Sequence, residues 1–109
     1  MRPCRYKLVW FVPEEALEPT RDAVFEAGAG RIGEYTRCSW YASGVGTFKG
    51  EEGSDPAIGV AGREERTPEY RVETVVPADV VDAVVAALIR AHPYEEVAFD
   101  VYALAELAQ

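Results

Sequence analysis

A chain of 109 residues, 49% of them hydrophobic, is long enough for one domain with a real core, and no segment is biased enough to stay disordered. Lys and Arg total 11 against 19 Asp and Glu, a net charge of −8. That balance excludes a nucleic-acid backbone and an anionic membrane surface as partners, since both demand a basic face.

No apolar run approaches the roughly 20 residues of a spanning helix. The start "MRPCRYKLVW" lacks the apolar stretch of a secretory signal, so the expectation is a cytoplasmic chain forming a single domain over 1–109. Cys4 and Cys38 are too few for a disulfide framework or a zinc site and are read as reduced thiols.

Residues 6–12, "YKLVWFV", place Tyr6, Leu8, Trp10 and Val12 on one face and Lys7, Val9 and Phe11 on the other. Both faces are largely apolar, which predicts a central strand covered on both sides. Pro13 then opens a helix over about 14–28. Leu17, Val24 and Phe25 share its inner stripe, and Gly28 or Gly30 supplies the left-handed cap. Pro19 predicts an irregular start, with a clean helix only from about Thr20. A second strand is expected over 35–43, with "VGTFKG" returning as a short hairpin arm, followed by a long polar connection over 51–69. "YRVETVV", residues 70–76, is the third strand. Residues 78–92 form the cleanest helix, with Val81, Val84, Val85 and Leu88 at helical spacing. Residues 97–104 make the last strand.

The order β-α-β-β-α-β predicts an α+β, ferredoxin-like sandwich. Its four-stranded antiparallel sheet has strands 6–12 and 70–76 in the centre and both helices on one face. The other face of the first strand, with Val9 and Phe11, would be an exposed apolar patch in a monomer, so a homo-oligomer is expected.

Three stretches bear on chemistry. "GAGRIG", residues 28–33, spells a dinucleotide fingerprint, but a helix leads in and a strand leads out, the reverse of what pyrophosphate binding needs. A cap and a turn explain those glycines better. Residues 43–59 are a glycine-rich stretch in which backbone nests and Lys49 favour an anion while Glu51, Glu52 and Asp55 repel it. Gly44, Gly46, Thr47 and Lys49 are the ligand-binding candidates there, joined by Tyr94. The third is "HPYEE", residues 92–96, with the only histidine of the chain. A helix C-terminus favours the imidazolium form of His92, which caps the helix. His92, Glu95 and Glu96 are the metal-ligand candidates, though one histidine and two carboxylates make an incomplete site within one chain. No nucleophile can be paired with His92, and no catalytic residue is assigned.

"VFEAGAGRIGEYTRCSW", "GVGTF", "DPAIG" followed by Gly62, "YRVETVVP" and "AALIRAHPYEEVAFDVYAL" together resemble the small domain of the Nif-three-like proteins, over nearly the whole chain and in order. In many of those proteins this domain is inserted into a larger dinuclear-metal domain; here the chain looks like the stand-alone version. The resemblance implies a PII-like or CutA-like fold, and CutA proteins, small trimeric divalent-cation-tolerance proteins, are similar at "HPYE", residues 92–95. The departures are Pro19 and Val97, where the family commonly has a proline. The metal ligands of the larger relatives lie on the domain absent here, so no hydrolase activity carries over. The expectation is a non-enzymatic binding or regulatory module, a trimer in preference to a dimer, taking a small ligand, a divalent metal as sole candidate cofactor, or a protein partner. The alternative is a small enzyme with a subunit-boundary site around His92.

Overall fold

The computed structural model describes residues 3–54 and 59–107. Its elements run β1 (Arg5–Val12), α1 (Leu17–Glu26), β2 (Ser39–Lys49), β3 (Glu64–Pro77), α2 (Val81–Ala91) and β4 (Phe99–Ala103), with one 3₁₀ turn before each helix. The four strands form one antiparallel sheet in the order β2-β3-β1-β4, so β1 and β3 are central as their patterns require. The architecture is the expected α+β sandwich.

Directly opposed residues of an antiparallel pair share a face. Leu8 faces Thr74 and Val101, and Trp10 faces Val72 and Phe99. These sit on the helix side, where Leu8, Trp10, Val12, Val72 and Val76 pack with Leu17, Val24, Phe25, Val84 and Leu88 into one core. Trp10 is fully buried, and its indole N–H donates to Thr20 Oγ1 at 3.0 Å. The Thr20 hydroxyl donates in turn to the Ala16 carbonyl at 2.8 Å. An unpaired indole N–H at that depth would cost about 1–3 kcal/mol, so this bond is a condition of placing tryptophan there.

The first helix starts earlier than Pro19 suggests. α1 begins at Leu17, after a 3₁₀ turn at Glu14–Ala16, and contains Pro19 as its third residue. The first-turn N–H groups of a helix have no intrahelical partner, so proline removes nothing there. Its other end closes with Gly28 at φ 118°. Ala29 N–H donates to Val24 O at 3.0 Å and Gly28 N–H to Phe25 O at 3.1 Å, the paired bonds of a Schellman cap. Gly30, at φ 79°, ties the chain to the sheet instead. Its N–H donates to Val75 O at 2.7 Å, and a side chain there would strike the Phe25 ring. The glycines of the false fingerprint are thus a cap and a tie.

Two boundaries differ from expectation. β2 begins at Ser39, not 35, and runs unbroken through "VGTFK". β3 begins at Glu64, inside the stretch expected to be loop, and pairs with β2 from Ser39↔Thr74 to Lys49↔Glu64. The hairpin arm and the end of the polar connection are therefore one long ribbon. Pro68 is tolerated within it because β1 ends opposite Tyr70, which leaves that part of β3 with a free edge. Of the connection, residues 55–58, including the Asp55 weighed against an anion, lie outside the described residues. At the opposite end of the sheet, Leu104 N–H donates to Arg5 O at 3.2 Å, holding the start of β1 beside the residue that follows β4.

The open sheet face also needs correction. Val9 is only 1% exposed and Phe11 is half-buried. Lys7 and Arg71 both reach Glu73, at 3.7 and 3.1 Å, and the Arg71 guanidinium lies 5.7 Å from the Phe11 ring centre. A roof of charges therefore shields the aliphatic row that was expected to be bare. The large apolar groups left on this face are at its margins: Trp40, 59% exposed, and Tyr102, 47% exposed.

Candidate functional site

The β2–β3 ribbon extends past the end of β1, and the turn leaving α2 folds back beside it. His92 sets that turn. It is buried at the C-cap of α2, where its N–H donates to Leu88 O at 3.0 Å. Its Nε2 lies 2.7 Å from the Phe11 carbonyl and its Nδ1 accepts the Tyr94 N–H at 3.2 Å, so the ring is the neutral tautomer protonated on Nε2. Burial lowers its pKa from the ordinary 6.5, and the Phe11 bond only partly opposes this. The imidazolium expected from the helix terminus is not what the site favours, because desolvation outweighs the dipole. Both ring nitrogens are engaged with backbone. Among the described residues no three His, Cys, Asp or Glu side chains converge to hold a metal ion, and His92, Glu95 and Glu96 do not form such a group.

With the turn so fixed, Tyr94 packs edge-on against His92, ring centres 4.9 Å apart, and turns toward the ribbon. Between them lies a cavity of about 310 Å³. Gly46, Thr47, Phe48, Lys49 and Thr67 line the ribbon side; Tyr94, Glu95, Glu96 and Ala98 line the other. Two stretches that are about 45 positions apart in sequence thus share one hollow, within the volume range of small-molecule sites. Of the eight candidates, Gly46, Thr47, Lys49, Tyr94, Glu95 and Glu96 line it. Gly44 does not, and a side chain there would meet nothing; His92 sits behind Tyr94 as its support.

Phe48, Gly50, Ser54, Thr67, Glu69 and Ala98 also line it and were not singled out from the sequence; Glu69 is the charged one among them. It stands opposite Gly44, and its carboxylate crosses to lie over Gly46, where even a methyl group would overlap it. Burial holds its carboxyl above the usual 4.5. Tyr94 is also shifted up, by its own burial and then by the charges of Glu69 and Glu15. Its hydroxyl oxygen is buried with no hydrogen-bond partner among the described residues. Gly46 was a signal for this arrangement, but only the strand register shows what the glycine admits.

No protein-family model matches the chain. Over 98 residues, 90% of the chain, it is 54% identical to a Mycobacterium tuberculosis protein named "GTP cyclohydrolase 1 type 2 homolog", of which the match spans 26%. A Bacillus subtilis protein of the same name is 49% identical over 96 residues, 88% of the chain and 26% of that protein. The chain thus spans about a quarter of the length of these curated relatives. Among solved structures, a Bacillus cereus protein related to NIF3 superposes with a TM-score of 0.83 at 42% identity, covering 97% of this chain and 27% of the other. CutA1 from a Shewanella species superposes with a TM-score of 0.72 at 13% identity, covering 99% and 88%, a likeness of fold alone. Among the described residues no helix is long and apolar enough to cross a membrane.

Proposed function

We propose that this chain, homologous over nine-tenths of its length to one domain of the Nif-three-like proteins, is a non-enzymatic, homo-oligomeric module that binds a small ligand in the ribbon cavity. The observation that carries this reading is the convergence of the glycine-rich strand and the "HPYEE" turn on one hollow of about 310 Å³. Its apolar members, Phe48 and Ala98, offer contact area, and its few polar groups converge from both sides, the composition of a recognition site. Among the described residues that line it, none is paired with a base as a reacting group would be. The single histidine is neutral and fully engaged with backbone, so it has neither the free nitrogen nor the neighbour that proton transfer requires.

For assembly, the margins of the open face take the place of the bare strand that was expected. Trp40 and Tyr102 supply the apolar contact that a second copy would cover. A trimer is the reading the CutA-like fold suggests. Light scattering at micromolar concentration should give three times the 12.0 kDa chain mass. A stable monomer sinks the assembly reading. For the cavity, a mixed fragment library screened by ¹H–¹⁵N spectroscopy should move the amides of Gly46, Thr67 and Tyr94. Shifts confined to other surfaces would remove the cavity as the binding site.

A further inference from the structure

The lining of the cavity is acidic on balance, with Glu69, Glu95 and Glu96 against Lys49. Charge alone would only disfavour anions; two further features select a ligand. The Glu69 carboxylate is part-buried against Gly46, a contact that only glycine permits. Close by, the Tyr94 hydroxyl is buried without a partner among the described residues, a cost that no described group offsets. A neutral ligand can offer the carboxylate a hydrogen bond but no opposite charge, the weaker of the two answers. A bare metal ion would want three or more converging ligands, and the described residues form no such cluster. An ammonium or guanidinium head answers both features, since it donates to a carboxylate and to a phenolic oxygen at once. Phe48 and Ala98 then meet whatever apolar portion the head carries.

We propose that the cavity takes a small organic cation, a primary ammonium or guanidinium with a short apolar tail, its head held between Glu69 and Tyr94. The proposal rests on the reading of this cavity as the binding site and specifies its chemistry. The cation binds the ionised form of Glu69, so binding releases a proton wherever the free carboxyl is protonated. Affinity therefore rises as pH rises through the elevated Glu69 value and levels above it. The other charged groups facing this point are Glu15 from the turn before α1, Glu95 and Glu96 from the turn before β4, and Lys49 from the ribbon. Lys49 opposes a cation and the three glutamates favour it.

The test titrates the ¹⁵N-labelled full chain separately with butylammonium chloride, sodium butyrate, n-butanol and magnesium chloride, following Gly46, Thr67 and Tyr94. Butylammonium should shift these amides saturably, and the other three should not. Glu69→Gln, which keeps size and removes charge, should weaken binding at least about tenfold, the loss of one charge-assisted hydrogen bond. Gly46→Ala should do the same by displacing the carboxylate, and Tyr94→Phe should weaken it by a factor of about three. Butyrate or butanol binding as well as butylammonium overturns the cation inference and leaves the cavity as a site. Response to magnesium alone overturns it in favour of a metal ion. Silence from all four probes overturns it, and if the fragment screen is silent too, the cavity reading falls with it.

Discussion

Trp10 and Tyr94 are both aromatic rings with a polar tip, and the chain treats them in opposite ways. Trp10 lies under the helices, and its N–H is met by Thr20, whose hydroxyl is anchored on the Ala16 carbonyl. Tyr94 lies beside the β2–β3 ribbon, and its buried hydroxyl meets no described group. The first region is closed, with its buried indole answered from within the chain. The second is left open, with a shifted carboxyl next to an unanswered hydroxyl. Among the described residues a buried donor is answered in one place and a buried hydroxyl is left unanswered in another; the first arrangement favours stability, and the second suits the proposed binding.

The contrast can be broken most severely at the closed end. Trp10→Ala should cost about 3–5 kcal/mol of stability in denaturant unfolding, the range for emptying a core aromatic position. Tyr94→Ala, at a half-buried position, should cost well under half of that. A Tyr94 penalty equal to that of Trp10 would show that the ribbon cavity is part of the structural core.

A subtler change isolates the polar tips. Thr20→Val keeps volume but orphans the indole N–H, and should cost about 1–3 kcal/mol by the same measurement. Combining it with Trp10→Phe should recover part of the loss, because both partners are then apolar. Additive losses would show that the bond is incidental.

Acid and base should act on His92 of the turn and Glu69 of the ribbon with opposite sign. His92 is buried neutral with a lowered pKa, so the unfolded chain binds its proton more readily. Its contribution is intact above about pH 6.5 and is lost as pH falls from there toward the lowered folded value. Glu69 has a raised pKa, so the folded chain binds that proton more readily. Its contribution is present below the ordinary 4.5 and is lost as pH rises through the raised folded value. Thermal melts of wild type and Glu69→Gln across this range should differ in that alkaline-side decline and agree in the acid limb. The smallest effect is expected from Tyr94→Phe, which removes the unanswered hydroxyl and should leave stability within about 0.5 kcal/mol or raise it slightly. A loss of about 2 kcal/mol would reveal a partner the hydroxyl has in solution.

The same contrast governs what was legible in the residues. Where elements face the core, periodicity speaks: the stripe Val84 and Leu88 of α2, and the alternation Leu8, Trp10, Val12 of β1, placed both elements correctly. Beyond the end of β1 the ribbon has no helix over it, so its strands carry no apolar alternation. "EERTPE" then reads as loop though it is strand, and Gly44 and Gly46 read as punctuation. Most of the cavity lining could be named from its two stretches, but their meeting and the part of Glu69 needed the register Gly44↔Glu69. The histidine misled for a different reason. A helix terminus argues for charge, and only the folded chain shows the ring buried, which decides otherwise although the Phe11 bond opposes it.

The bond between Leu104 and Arg5 makes this domain easy to carry in a larger chain. A polypeptide that enters the sheet at one of those residues leaves at the other, displaced by little more than the spacing of two strands. Spliced into a surface turn of a host, such a unit spreads the flanking backbone hardly at all. The host need not stretch, and the entropy of closing the loop around the guest is already met by the guest's own fold. Relatives about three and a half times as long, in which this unit is about a quarter of the length, have the size of such a host with its guest. The ribbon and its cavity sit at the far end of the sheet from that junction, where a host would obstruct them least.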